Sequence, residues 1–397
     1  MSTLKVDNIR HNSATSDAIT MASDGTCTAR ITGMTGGGGL SHRNLIINGA
    51  MTISQRTTSS STVGAGSGYS VMDRFKTNND LPSGVSNLTL SQDSDAPAGF
   101  SKSYKVTPNQ AGTLADSDRF FLTTSLEAQD IRNSGWNYTD PNSKLTLSFY
   151  IKSNLTGIVS LELNSPDSPS TKRHFRSTVT INSANTWERK TVTITGDSQL
   201  VFDDNNEAGL HITWHYASGP NFSSGTHVTG SWDTNAVAAN RSSSSNINIY
   251  SNTSNFVSLT GVQLEVGDTA TSFEHRSISE ELLRCQRYFT FVPSGTVFPG
   301  RGNSSSSYIY SYQSTVPMRA SPTIGVSNDI AHGTFSVRRY RDGTGVSDST
   351  STPTTSSTYF SPNSNMIHLI QGGFSGADDR SATLFVSGGA ITISAEL

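Results

Sequence analysis

The chain has 397 residues, of which only 15% are Asp, Glu, Lys or Arg, and its formal net charge of −3 comes from 28 basic and 31 acidic residues. A typical soluble domain is about 25% charged, so this surface is built largely from Ser, Thr, Asn and Gly; without a long run of either sign it does not indicate a nucleic-acid or anionic-membrane partner, and none is expected. Two cysteines, Cys27 and Cys285, are too few for a disulfide framework or a Cys-based zinc site, and no stretch approaches the ~20 apolar residues of a membrane span.

Residues Met1 to Leu40 hold short alternating pieces such as Leu4-Lys5-Val6 and Ala18-Ile19-Thr20-Met21, then Cys27 to Ile31, and close on Gly36-Gly37-Gly38-Gly39. So few apolar side chains cannot build a core alone, and such a segment orders only by pairing with copies of itself or with a partner. A plain disordered tail is the other reading. Met1 to Arg10 lacks the apolar run of a secretory signal, so the expectation is synthesis in a cytoplasm and exit by lysis or a dedicated route.

From Ser41 to Arg276 the pattern is of strands. Ser86–Leu90, Ser101–Val106, Lys144–Ile151, Gly157–Leu163, Thr178–Ile181, Lys190–Thr195, His211–Trp214, Ile247–Tyr250 and Val257–Leu264 alternate polar with apolar. Period-two alternation gives each strand a core side and a wet side. Many such strands, separated by Gly, Pro, Asn and Asp turns, predict an all-β antiparallel jelly roll or sandwich. One strong helical pattern follows at 277–289: Ser277 or Ser279 can cap, acids open the first turn, and Ile278, Leu282, Cys285 and Phe289 form a stripe at helical spacing. This reads as a connecting helix whose stripe packs in a core or an interface. Residues 290–397 return to strands and end on the alternating run Ala390 to Leu397, which predicts a terminus tied into a sheet. The expected organisation is thus an assembly segment (1–40), a sandwich (41–276), a helix (277–289) and a C-terminal β-sandwich tip (290–397).

Several unusual short motifs occur together: Arg43-Asn44-Leu45-Ile46-Ile47-Asn48-Gly49-Ala50-Met51, Asp73-Arg74-Phe75, Val262 to Gly267, Phe273-Glu274-His275-Arg276, Glu280 to Tyr288, Val316 to Thr323, and Ala395-Glu396-Leu397. In order and spacing they resemble the pattern of bacteriophage tail fibre, or receptor-binding, proteins over residues 41–397. The resemblance implies a homotrimeric virion component, made in the host cytoplasm and acting outside the cell. It also implies a jelly-roll domain akin to carbohydrate-binding modules, a distal tip that meets a host surface glycan, and an N-terminal segment that docks on the phage tail, directly or through an adaptor. The brief N-terminal segment departs from the long fibres. As architecture, Gly49 and Gly267 read as turn formers, Leu264 and Phe273 as core, and Glu265 with Arg276 as an ion pair.

Catalytic patterns are missing from the sequence: no Gly-x-Ser-x-Gly elbow precedes a helix, and no Walker loop, His-Glu-x-x-His or EF-hand loop occurs. No enzyme activity is expected, and no cofactor. The run Asp203-Asp204-Asn205-Asn206-Glu207 offers oxygen ligands of the kind Ca²⁺ takes, through Asp203, Asp204 and Glu207, but without a recognised loop spacing; a solvated turn is the commoner reading. Sugar rings stack on aromatic side chains, which draws attention to Trp214, Tyr216 and Trp232. Trp214 in its alternating strand reads as core, Trp232 in a loop as the exposed one. Tyr308, Tyr310 and Tyr312 fall at i, i+2 and i+4 and share one strand face; with Leu282 and Phe289 they are candidates for a subunit interface. Arg338, Arg339 and Arg341 beside Tyr340 suit an acidic polysaccharide or a solvated strand edge, and with the 343–357 loop they are the expected attachment surface. Two other classes stay open: a polysaccharide-degrading spike, which would need regular β-helix rungs, and a purely structural collar or decoration protein.

Overall fold

Alternating sequence through the central region closes into two antiparallel sheets that share one core. The structure is a computed structural model that describes residues 6–10, 12–13, 15–21, 23, 27–29, 42–81, 87–167, 172–234, 237–293, 296–304, 307–326, 335–341, 344–350, 355–360, 366–372, 381–386 and 391–397. One sheet has six strands in the order Glu188–Thr195, Lys144–Ser153, Val257–Val266, Ser103–Pro108, Leu88–Asp93 and Ser59–Val63. The other has seven, in the order Trp232–Asp233, Arg173–Ile181, Gly157–Ser165, Ala208–Ser218, Arg119–Glu127, Phe75–Asp80 and Gly66–Gly68.

The apolar half of each alternation faces inward. Leu145, Leu147, Phe149, Ile151, Leu259 and Leu264 of the first sheet meet Leu161, Leu163, Ile212, Trp214, Phe120 and Leu122 of the second in a single buried cluster. Phe149 and Trp214 join the layers edge to face, with ring centroids 5.7 Å apart, an arrangement aromatic quadrupoles favour. A register shift between Ser148 and Tyr150 lies opposite Gly261, whose φ of +61° and crowding by the Phe100 and Tyr150 rings leave no room for a side chain.

The N-terminal pieces pair as a three-stranded sheet, Asn8–Ile9, Ile19–Met21 and Cys27–Ala29, on which Ile9 and Met21 are exposed. The predicted helix spans Ile278–Gln286, and Ser277 caps it by accepting from the Glu280 amide (3.2 Å). Its stripe is only partly as predicted: Cys285 and Phe289 are buried and Leu282 is half-buried, but Ile278 is 68% exposed at the first turn. Beyond it, Phe289–Val292 pairs with Ile391–Ser394, which also pairs with Thr323–Val326, so the C-terminal run is tied down in a sheet. A further seven-stranded sheet runs Thr344–Thr350, Phe335–Arg341, Ser381–Val386, Val297–Ser304, Ser307–Gln313, Met366–Gly372, Thr355–Phe360. The expected 343–357 loop is therefore mostly strand: Thr344–Thr350 closes a hairpin on Phe335–Arg341, and another strand starts at Thr355, while 343 and 351–354 lie outside the described residues.

The dispersed sequence motifs converge between the sandwich and the C-terminal strands. Asn44 Oδ1 accepts from the amides of Ile46 (3.0 Å) and Leu264 (3.1 Å), and Asn48 clasps both backbone groups of Ile53. A Cβ on Gly49 would lie 2.0 Å from the Val262 carbonyl oxygen, so close backbone approach, more than turning, requires glycine there; Gly267, at φ +124°, is the turn former. Glu127, fully buried, receives both arms of Arg287 (2.8 Å each) and the Tyr288 hydroxyl (2.5 Å). Arg74, equally buried, ion-pairs with Glu396, donates to Ser125 O (2.7 Å) and lies 3.4 Å from the Tyr288 ring centroid. Arg319 closes the junction by donating to the carbonyls of Asn206 and Ala395 (2.7 Å each). The expected Glu265–Arg276 pair does not form: Glu265 faces Arg43 at 3.5 Å, while Arg276 lies 3.4 Å from Glu274 and 3.8 Å from Glu281. Leu264 is core as expected, whereas Phe273 is only half-buried and packs on Phe100 and His275.

Candidate functional site

In a sandwich strand every second side chain must leave the core, and on the seven-stranded sheet these outward positions are polar and line up across strands. One row reads His174, Asn164, His211, Ser125; the next Arg176, Glu162, Thr213, Thr123, Lys76; a third Ser160, His215, Phe121, Asn78. All of these but His174, Arg176 and Ser160 line a groove of about 410 Å³, bounded also by Ala208, Arg241 and Leu397, whose backbone oxygen accepts from the Tyr69 hydroxyl (2.8 Å).

The floor is tied together by side-chain hydrogen bonds. Thr123 and Thr213 hydroxyls are 3.1 Å apart, and Ser125 Oγ lies 2.7 Å from His211 Nδ1. Glu162, 4% exposed, accepts from His174 Nδ1 at 2.8 Å, and its other oxygen is 3.8 Å from His215 Nε2, a charge contact too long for a hydrogen bond. Burial pushes the Glu162 carboxyl up, but the His174 hydrogen bond, the approach of His215 and the charge of Arg241 outweigh it and hold the group well below the usual carboxylate range. His211 is pushed down to about 4 by burial, reinforced by Lys172 and Lys76, and His215 is lowered by burial against the pull of Glu162. Both imidazoles are therefore neutral at neutral pH, and His211 bonds Ser125. His215 is fully buried and neither of its ring nitrogens has a hydrogen-bond partner among the described residues. The one carbocyclic aromatic lining the groove, Phe121, has His215 5.4 Å away by ring centroid and the Arg119 guanidinium 4.9 Å from its ring.

Chemically the groove offers hydroxyls, amides, neutral imidazoles, two cations and one ring face. Ser125 and His211 are in the relation of a nucleophile and its base, a juxtaposition that the search for a Gly-x-Ser-x-Gly elbow could not find. The third member needed to orient the imidazole is missing among the described residues, since no hydrogen bond reaches His211 Nε2 there. Glu162 is the single carboxylate side chain in the lining, where glycoside hydrolysis uses a pair about 5 to 10 Å apart.

The sequence-predicted candidates fall elsewhere. Trp214 is core, as read, but so is Tyr216, 1% exposed, because its strand alternates without a break from Ile212. Trp232 is 7% exposed and not the loop platform expected: Trp232–Asp233 adds to the sheet edge beside Phe175, and the indole donates to Thr195 O (2.6 Å). Asp203, Asp204 and Glu207 do not converge, and no group of three His, Cys, Asp or Glu that could hold a metal is gathered among the described residues. Tyr310 is fully buried against Gly300, which removes it from a subunit interface, while Tyr312 is half-buried and packs edge to face on Phe298 (5.9 Å). Phe289 is covered within the chain, with the Arg56 guanidinium 3.5 Å from its ring centroid, which leaves Leu282 and Tyr312 as the partly accessible interface candidates. The side chains of Tyr308, Arg338, Arg339, Tyr340 and Arg341 lie outside the described residues, although their strands, Ser307–Gln313 and Phe335–Arg341, are placed.

No protein-family model matches the chain, and no curated protein matches it. Among solved structures it is similar to the enzymatically active domain of tailspike protein 4 of bacteriophage CBA120, at 11% identity and a TM-score of 0.27 over 56% of this chain and 21% of that one. It thus spans about a fifth of the tailspike's length. It is also similar to a family 11 carbohydrate-binding module from Clostridium thermocellum in complex with a mixed-linked tetrasaccharide (11% identity, TM-score 0.26, 51% of this chain, 91% of that one). A third is TmCBM61 in complex with a galactotriose (9% identity, TM-score 0.25, 56% and 97%).

Proposed function

We propose that this protein is a non-catalytic, glycan-binding component of a phage tail fibre that attaches the virion to a host-surface polysaccharide, with the groove of the seven-stranded sheet as its binding site. The observation that carries the reading is the groove itself: cross-strand rows of hydroxyl, amide and imidazole groups beside the half-buried Phe121 ring suit a chain of sugar hydroxyls and C–H faces. The lone carboxylate, already engaged by His174, supports binding over hydrolysis.

Tail fibre identity, the homotrimer, and docking of residues 1–40 on the tail or an adaptor rest on the motif resemblance. The exposed apolar Ile9 and Met21 of the small N-terminal sheet support an assembly role for that segment. The binding site moves from the distal strands, where sequence reading put it, to the sandwich.

Saturable binding of the labelled full chain to candidate host cells tests this. Thr213→Trp should fill the groove and abolish binding in a chain that stays folded. Reducing-end release from the bound polysaccharide would show the reading of a non-catalytic protein to be wrong. If Thr213→Trp binds as the parent does, the groove is not the site and a purely structural virion role becomes the better reading.

A further inference from the structure

The groove's charge does not follow from the chain as a whole. In a protein of net charge −3, the side chains lining this groove include two cations, Lys76 and Arg241, and one carboxylate, Glu162. Glu162 is occupied by His174 and His215. Neither cation forms an ion pair among the described residues; Lys76 stands at the end of the row Glu162, Thr213, Thr123, and Arg241 follows the turn Ala238–Asn240. By contrast, three arginines of this sheet are paired: Arg119 with Asp80 (2.7 Å), Arg176 with Asp233 (2.7 Å) and Arg173 with Asp197 (2.6 Å). Arg241 is partly buried, and its Nε, closed off from solvent, has no hydrogen-bond partner among the described residues. Arg241 senses the Glu162 charge but makes no ion pair with it among the described residues, so its half-desolvated guanidinium favours a further anion from outside.

We propose that the groove selects glycans bearing carboxylates, with Arg241 as the fork that receives a sugar carboxylate and Lys76 as a second point of charge along the chain. The inference rests on the groove being the glycan site. Guanidinium presents paired N–H donors that match a planar carboxylate, whereas an ammonium is an undirected point charge. Arg241 thus sets the position of the acidic sugar and Lys76 the preference for a polyanionic chain. Neutral His211 is left to the hydroxyls; burial is the main cause of its low proton affinity, and Lys172 and Lys76 add to it.

The test is titration of the full chain with oligogalacturonate and oligosialate, with the carboxyl-reduced form of each, and with a sulfated oligosaccharide. At least one carboxylated form should bind about tenfold or more tightly than its reduced counterpart, with an affinity that falls steeply with salt. Arg241→Gln should abolish that difference and Lys76→Gln should diminish it, read within each variant as the ratio of acid-form to reduced-form affinity, with circular dichroism showing that each chain stays folded. Equal affinity for acid and reduced forms, or equal affinity for sulfated and carboxylated forms, overturns the selectivity while leaving a glycan groove. Binding of neutral glycans alone overturns it too. Failure of every glycan, acidic or neutral, to bind a folded chain overturns the groove reading beneath it.

Discussion

Arg74 and Glu396, at opposite ends of the sequence, form an ion pair in which Arg74 is 1% exposed, between the second strand layer of the sandwich and the tail that follows the last strand. Arg56 meets the same carboxylate at 3.1 Å. Removing one partner of a buried pair leaves the other charged and desolvated, at a cost of about 3 to 5 kcal/mol. Glu396→Ala should lower unfolding free energy by about that amount in urea denaturation, and replacing Arg74 and Glu396 together by Met and Leu should recover most of it. A Glu396→Ala chain as stable as the parent would remove the pair from the account of the junction.

The groove carries a pH signature. His211, pushed down to about 4, binds its proton more weakly folded than unfolded, so its contribution is present above about pH 6.5 and is lost as pH falls towards 4. His211→Gln should flatten the stability profile over that window, by up to about 3 kcal/mol. Asp73 contributes the opposite slope: burial raises it to about 6, so its stabilisation is complete below about pH 3.8 and lost as pH rises through 6. Asp73→Asn should remove that second trend and leave the first, as read by chemical denaturation at closely spaced pH values.

Glu162→Gln separates a charge from a shape. The carboxyl is held low in the folded state, so its stabilisation is present above about pH 4.5 and is lost as pH falls through the lowered value. The amide should leave the chain less stable at pH 7, by about 1 to 3 kcal/mol for a hydrogen bond to a charged group, and nearly equal to the parent in strong acid. Melting curves at neutral and acid pH decide it.

Cys285 is 1% exposed in the helix, and burial, aided by Asp73 and Glu281, pushes its thiol well above the ordinary range. In a Cys27→Ser background the thiol should react with a disulfide reagent only at the rate of unfolding. Immediate reaction in the folded protein would mean that the helix does not seal this site.

Gly49→Ala would place a methyl 2.0 Å from the Val262 carbonyl oxygen, where the neighbour is backbone and cannot turn aside. Loss of about 3 kcal/mol or of soluble expression is expected, whereas Gly68→Ala, with open space around it, should be neutral.

Sandwich strands could be read because a half-buried strand writes its burial into every second letter, as at Glu188–Thr195. The groove could not, because its residues are the polar letters of those same strands, and Glu162, His174, His211 and His215 become a set only through cross-strand register. Aromatic content misled for a related reason: Tyr216 and Trp232 sit in a polar stretch, yet one continues a strand into the core and the other caps a sheet edge. The motifs carried a different kind of information. Asn44, Gly49, Arg74, Glu281 and Glu396 look like scattered surface chemistry in one dimension and prove to be the satisfied buried groups of one junction.

Phe289–Val292 leads out of the sandwich and Ile391–Ser394 leads back to it, paired side by side. The chain passes four times between this small sheet and the distal strands, because Thr323–Val326 also pairs with Ile391–Ser394, and the last passage is pinned by Ala395, which donates to Tyr288 O (2.7 Å), and by Arg319. A single linker acts as a swivel. Four passages through one hydrogen-bonded sheet leave no such swivel, and the distal strands stand on the sandwich as a stiff extension rather than on a slack tether.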